Sequence, residues 1–381
     1  MLVLRWIERL IFSLPLPAFL LAVFGVMLFK VGVWYMPGLG LSQQIAANPF
    51  VNPLTDPNAH YIYWSWLPPF LAWVLGIHGE AAYLLYHFAF SLAFVGLFTL
   101  LAVKRLPDEL ARMALLFFVF LPVAGTSFFW VSVDSFTLFF MLLAFAFPQS
   151  MLISGLAGVA LGMTHFEQGF FGVGAVFFAT LLGRWFGPVH DRRLTVIGSV
   201  LAGVIAGKVI LFAIFHYNDV QVNSGRFYWL LMNYHHHLRQ FFFSFQHALW
   251  SILAVGWLVA LRFADQGRKT IPFFVTIALM LFLLLTVGDQ TRVMCIVLFP
   301  LVYVFWLSNA QVLARFDRTE VAGLTLLWIL IPWIWVWAGV AQPSLLSYDL
   351  AMVIDKVVGG FDIPADFSLW PFNFRMPGQG F

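Results

Sequence analysis

The sequence predicts an all-α fold, a polytopic transmembrane helical bundle of about eleven spans with an interfacial helix in its first outer loop, each span near the ~20 residues that cross about 30 Å of hydrocarbon. Three observations carry this prediction. Of 381 residues, 62% are hydrophobic and only 10% charged, against about 25% charged in soluble domains, so no soluble fold of this size hides the apolar surface. The apolar residues come in long blocks with short polar punctuation, and inside lipid a helix satisfies its own backbone polar groups. Lys and Arg concentrate in alternate loops, which sets an orientation.

Hydropathy places spans near residues 11–35, 81–103, 109–131, 134–148, 149–164, 168–184, 194–216, 241–261, 271–288, 293–309 and 321–341. Arg5 and Arg9 precede the first block as in a signal peptide, but that block runs to Met36 without a small-residue cleavage pattern and is expected to stay as the first span. In the first outer loop, 36–80, the apolar segment Tyr61–Ile77 is interrupted by Pro68-Pro69 and carries Trp64, Trp66 and Trp73, the composition of an interfacial or re-entrant helix. Residues 1–341 thus form one membrane module, and the aromatic, Pro/Gly-punctuated tail 342–381 is expected on the outer surface.

With the N-terminus inside, the inner segments hold Arg5, Arg9, Lys104, Arg105, Arg112, Arg184, Arg192, Arg193, Arg262, Arg268, Lys269, Arg315 and Arg318. The outer ones hold only Arg226, Arg239, Arg292, Lys356 and Arg375, with Lys30 and Lys208 left inside spans, so the positive-inside rule puts the C-terminus outside. The net charge of +3 therefore reports topology, and no nucleic-acid partner is expected. Cys295 is the single cysteine, which excludes an internal disulfide and a thiolate cluster. The inner loops are short and basic, without a glycine-rich phosphate loop, so no nucleotide cofactor, and no other cofactor, is expected.

Independently of that count, the unusual polar residues gather at the outer face. Asp56 sits in a turn-forming Thr-Asp-Pro context ahead of His60 and Trp64, where it serves either as a turn or cap residue or as a base for an acceptor hydroxyl. Asp134 stands between two spans, at an N-cap or in a binding site. His165, Glu167 and Gln168 interrupt an apolar stretch, and ionisable groups at membrane depth need partners. His235, His236 and His237 are consecutive and point in different directions on a helix, so no metal site is expected of them; beside Arg239 they suit a phosphate or a sugar. Asp289 and Arg292, at i and i+3, either pair with each other or leave the guanidinium for a lipid-linked phosphate.

This layout resembles the GT-C class of membrane glycosyltransferases. The likeness lies in Asp56 in the first outer loop, the segment WSWLPPF after it, and the Arg-containing DQTR, 289–292, at the outer end of a late span. It implies transfer of a sugar from a polyprenyl-phosphate-linked donor to a glycan or lipid-linked acceptor, in contact with membrane lipid. The expected place is the periplasmic or extracellular face of a bacterial inner membrane. Asp56 and Glu167 are then the candidate catalytic carboxylates, and His60, Trp64, Asp134, His165, His235, His236, Arg239, Asp289 and Arg292 the candidate binding residues. The sequence departs from the class in having one first-loop carboxylate and no large soluble domain after the last span. A polymerase or ligase, or a flippase or transporter, of lipid-linked saccharides remains the alternative, although only Lys30 and Lys208 look buried in spans and no internal repeat is apparent.

Overall fold

The computed structural model describes residues 2–33, 36, 39–187, 190, 192–222, 225–337, 340–343, 366–369 and 372–375, leaving out the side chain of Asn58, some within 225–244 and those of most of the last strands. The described chain is mainly helical. Five of its helices are long and apolar enough to cross a bilayer: Glu80–Arg105, Met151–Phe186, Leu194–Tyr217, Gly267–Thr286 and Gln290–Leu307. Two bent pairs bring the number to seven. Asp108–Phe120 meets Pro122–Phe129 at 58°, and Phe245–Leu253 meets Gly256–Ala264 at 82°. Proline breaks the first by removing a donor, and Ala254, at φ 48, turns the second. Leu16–Val31 and Asp134–Ala146 are shorter apolar helices.

Several expected boundaries shift for visible reasons. The first apolar helix begins only at Leu16, because Pro15 separates the amphipathic helix Leu2–Ser13 from Leu16–Val31. The last helix ends at Leu330 instead of near 341, just ahead of Pro332. The β-prone run Ile334–Trp337 then pairs antiparallel with Val340–Pro343, which lies parallel to Phe372–Arg375, itself antiparallel to Asp366–Leu369. This small four-stranded sheet is an addition to the expected all-helical architecture.

The expected short spans 149–164 and 168–184 form the single element Met151–Phe186, broken at His165, whose backbone is extended. Glycines show how its two arms run. A Cβ added at Gly158 would meet the Val200 carbonyl oxygen at 2.4 Å, one at Gly162 the Val204 oxygen at 2.2 Å, and one at Gly207 the Val159 oxygen at 2.2 Å. These contacts climb together, so the arm 151–164 runs parallel to Leu194–Tyr217 with backbone against backbone, the close approach that small residues permit in membranes. The second arm must therefore return. It does: a Cβ at Gly169 would lie 2.7 Å from Leu161 Cγ, a pair that a straight helix separates by about 12 Å along its axis.

The two ends of the bundle differ in charge. Asp134 and Asp289 open their helices at one end, whereas Arg105 and Arg192 donate to the carbonyls of Ala146 and Phe145 at the other. Lys30 is accounted for structurally, since its ammonium caps the last helix by donating to the carbonyls of Trp328, Ile329 and Ile331.

Gly162→Val or Gly207→Val is expected to destabilise the protein by about 1–3 kcal/mol through overpacking, whereas Gly174→Ala, where an added Cβ meets nothing within 4 Å, leaves it unchanged. Denaturant titrations of the purified protein in detergent read the difference, and three superimposable curves would refute the seam.

Candidate functional site

At the acidic end, Arg292 is enclosed by two carboxylates. Its guanidinium donates to Asp134 Oδ2 at 2.5 Å and to Asp289 Oδ2, and touches Met36 Sδ at 3.5 Å. The side chains of Asp134 and Asp289 are 4% and 5% exposed and that of Arg292 13%, so the three charges are desolvated together. The Trp335 indole N–H donates to Asp289 Oδ1 at 2.7 Å. Burial pushes the Asp289 carboxyl above the usual carboxylate range, against the pull of Arg292 and Trp335. Neighbouring Thr291 donates to Ser251 Oγ at 2.6 Å and accepts from the Val336 N–H at 2.8 Å. Neither Asp134 nor Asp289 uses its side chain as a helix cap, because each is taken up by Arg292. Asp134 Oδ1 is buried and has no hydrogen-bond partner among the described residues.

A second polar group forms where the loop 39–74 covers the C-terminal half of Leu194–Tyr217. Tyr63 and Trp66 both donate to the Pro49 carbonyl at 2.7 Å, Trp66 stacks on Phe70 at 4.4 Å, and Leu54, Ile62 and Tyr63 pack with Leu211 and Phe215. The expected helix over Tyr61–Ile77 is realised as His60–Tyr63 and Leu67–Val74, with Pro68 and Pro69 in the first turn of the latter. His60 lies 3.0 Å from the Leu54 carbonyl through Nε2 and steadies the turn that carries exposed Asp56. Trp64 presents its ring to Lys208, whose Nζ lies 3.8 Å from the ring centroid and 5.4 Å from that of Phe166. Phe166 belongs to the break in Met151–Phe186. There, His165 Nδ1 sits 3.6 Å from Glu167 Oε2 and 3.4 Å from the Gln168 N–H.

The structure thus joins Asp134, Asp289 and Arg292 in one buried cluster, and sets Trp64 beside the break that holds His165 and Glu167. His235 and Arg239 are exposed on Gly225–Leu253, whose contacts include the turn Pro57–Ala59 just after Asp56. The side chains of His236 and His237 lie outside the described residues. Among the described residues no three His, Cys, Asp or Glu side chains converge as metal ligands. Sequence reasoning left Lys208 out of the site, although a lysine within an apolar span is itself the signal. Trp335 and Ser251 gave no such signal, because their roles depend on long-range contacts.

Removing the cation from the buried cluster should cost far more than removing one anion. Arg292→Met leaves two buried carboxylates facing each other and is expected to destabilise by about 3–5 kcal/mol. Adding Asp134→Asn and Asp289→Asn to it should recover part of that loss, read as melting temperature in detergent. A triple variant no more stable than Arg292→Met would disprove the charge balance.

No known protein family, curated protein or solved structure matches this chain.

Proposed function

We propose that this protein is a membrane glycosyltransferase of the GT-C kind, which moves a sugar from a polyprenyl-phosphate-linked donor to a glycan or lipid-linked acceptor at the acidic end of the bundle. One observation carries the reading most directly. The break at His165 interrupts a helix within an apolar stretch and brings a carboxylate, a cation and two aromatic faces to one side of the bundle, namely Glu167, Lys208, Trp64 and Phe166. Irregular backbone at membrane depth is tolerated where it lines protein or a polar cavity, and ionisable groups there mark substrate paths.

The chemistry needs few groups. The acceptor hydroxyl gives its proton to a carboxylate, its oxygen bonds to the sugar carbon, and the bond from that carbon to the phosphate oxygen breaks, releasing polyprenyl phosphate. Asp56, held by the His60 turn, is the base, and Glu167 beside His165 is the second carboxylate. Lys208, beside the Trp64 and Phe166 rings, is assigned to the donor phosphate, because the Arg292 guanidinium already donates to Asp134 and Asp289. Trp64 and Phe166 offer faces for the sugar ring.

In this reading the chain crosses the bilayer about eleven times, with the shorter apolar helices and the two arms of Met151–Phe186 counted as crossings beside the five helices and two bent pairs that are long enough by themselves. The crossings are Leu16–Val31, Glu80–Arg105, the pair 108–129, Asp134–Ala146, the arms 151–164 and 166–186, Leu194–Tyr217, the pair 245–264, Gly267–Thr286, Gln290–Leu307 and Arg318–Leu330. The arginine end faces the cytoplasm, and the acidic end the periplasm or exterior of a bacterial inner membrane.

Single cysteines at Thr55 and Asp219 should react with an impermeant maleimide from outside intact cells, and one at Gln266 only after lysis; the reverse pattern would put the site on the wrong face. In transfer assays with a radiolabelled polyprenyl-phosphate hexose, Asp56→Asn should lower turnover by about 10²–10⁴ while donor binding persists. Lys208→Met should weaken donor binding instead. Full activity in Asp56→Asn with none in Glu167→Gln would move the base to Glu167, and full activity in both would end the carboxylate-base reading.

A further inference from the structure

The helix Leu2–Ser13 takes no part in the chemistry proposed above, and its surface divides into three stripes. Ile7 and Ile11, one turn apart, are buried where this helix packs on Arg318–Leu330. Leu2, Trp6 and Leu10 keep the same spacing and form a second apolar stripe, with Val3 beside it. That stripe is left open, since Leu2, Val3 and Trp6 are 85%, 55% and 61% exposed. Arg5 and Arg9 are exposed along its flank. We propose that Leu2–Ser13 docks on an anionic lipid surface, with Leu2, Val3 and Trp6 at the boundary of headgroups and acyl chains and Arg5 and Arg9 on the phosphates.

Two arguments confine the helix to an interface. A helix facing water turns polar residues to the sides that its protein leaves open, whereas this one turns out leucine, valine and tryptophan. A helix within hydrocarbon would have to hide Arg5, Glu8 and Arg9 inside twelve residues. Both conditions are met in the plane of a membrane surface, where an apolar face with basic flanks suits the boundary and tryptophan favours headgroup depth. The position in the fold agrees. Arg105 closes one helix and Asp108 opens the next, so both stand at the arginine end of the bundle. From there Arg112 donates to the Ile11 carbonyl at 2.8 Å, and the Arg318 guanidinium stands 5.1 Å from the centre of the Phe12 ring. Leu2–Ser13 is thereby held at that end, just before Leu16–Val31 begins.

Charge complementarity makes the lipid anionic. Arg5 and Arg9 make no hydrogen bond or ion pair among the described residues, whereas Arg112, Arg262 and Arg318 each face a carboxylate. Glu8, the one acidic residue of the helix, acts on Arg318. A zwitterionic lipid covers the apolar stripe equally well but leaves the two guanidinium charges unbalanced, while anionic headgroups attract basic residues at the membrane surface. A soluble anion balances the charges and leaves the apolar stripe in water. The inference depends neither on the transferase reading nor on which side of the membrane the arginine end faces.

Two measurements on the full chain test the proposal. Cys295 is buried and does not compete for a spin label. In vesicles of equal phosphatidylglycerol and phosphatidylcholine, a nitroxide on Trp6→Cys should be relaxed more by oxygen than by a water-soluble nickel chelate, and one on Arg9→Cys more by the chelate. A label at position 6 relaxed mainly by the chelate would take the helix off the membrane and overturn the proposal in favour of a soluble partner. Native mass spectrometry from nanodiscs of the same two lipids reads the charge. The wild type should retain phosphatidylglycerol in preference, and Arg5→Gln with Arg9→Gln should lower that preference by about an order of magnitude, as for two basic residues at an anionic surface. Arg5→Lys with Arg9→Lys should keep it. Both pairs replace exposed side chains, so the fold is expected to hold. An unchanged preference in the glutamine pair would overturn the anionic assignment, and so would its loss in the lysine pair, because a surface contact of this kind reads charge and not side-chain shape.

Discussion

The buried guanidinium of Arg292 ties together stretches of chain that lie far apart in sequence. Through Asp134 it holds the start of one helix, through Asp289 and Trp335 the start of another and a β-strand, and through Met36 the chain just after Leu16–Val31. A charge in so dry a place costs several kcal/mol unless it is paired, so these contacts stand or fall together. Phe129 and Trp130 pack their rings against Trp335, whose indole N–H reaches the cluster at Asp289.

Much of the helical fold was legible because lipid leaves the backbone few options. Apolar block length located most of the helices, although only five of them, or seven with the bent pairs, are long and apolar enough to cross a bilayer against the eleven expected. What could not be read were interruptions that depend on tertiary contact. Pro332 signals only that a helix stops, and nothing local to Ile334–Trp337 says that its partner strands lie at 340–343 and, through those, at 372–375. The bend at Ala254 has no proline or glycine at its pivot, since Gly256 comes two residues later.

The candidate site was legible by residue type more than by grouping. Asp289 and Arg292 share a helix end at i and i+3, so their pairing was open to view. That Asp134 joins them from 158 positions away was not, and it changes the role of the arginine from an available anion binder to a satisfied strut. His60 proved to brace its own loop, whereas Lys208, passed over as a lone charge in a span, stands between aromatic rings from the first loop and the broken helix. Such substitutions of role are expected where polar groups must find partners at a distance, because spacing along the chain records only local neighbours.

The arm 151–164 has a consequence for how the protein is made. At about 1.5 Å per residue it rises only about 21 Å, less than the roughly 30 Å of hydrocarbon it would have to bridge by itself. Its glycine face also has no close partner until Leu194–Tyr217 has emerged from the ribosome, since the contacts at Gly158 and Gly162 are all to that later helix. In the eleven-crossing reading proposed above, the insertion machinery would release this arm as one limb of a hairpin with 166–186, and the bilayer would hold an unfinished seam until the third limb arrives. Biogenesis in that reading turns on timing, with a segment placed first and secured by its successor.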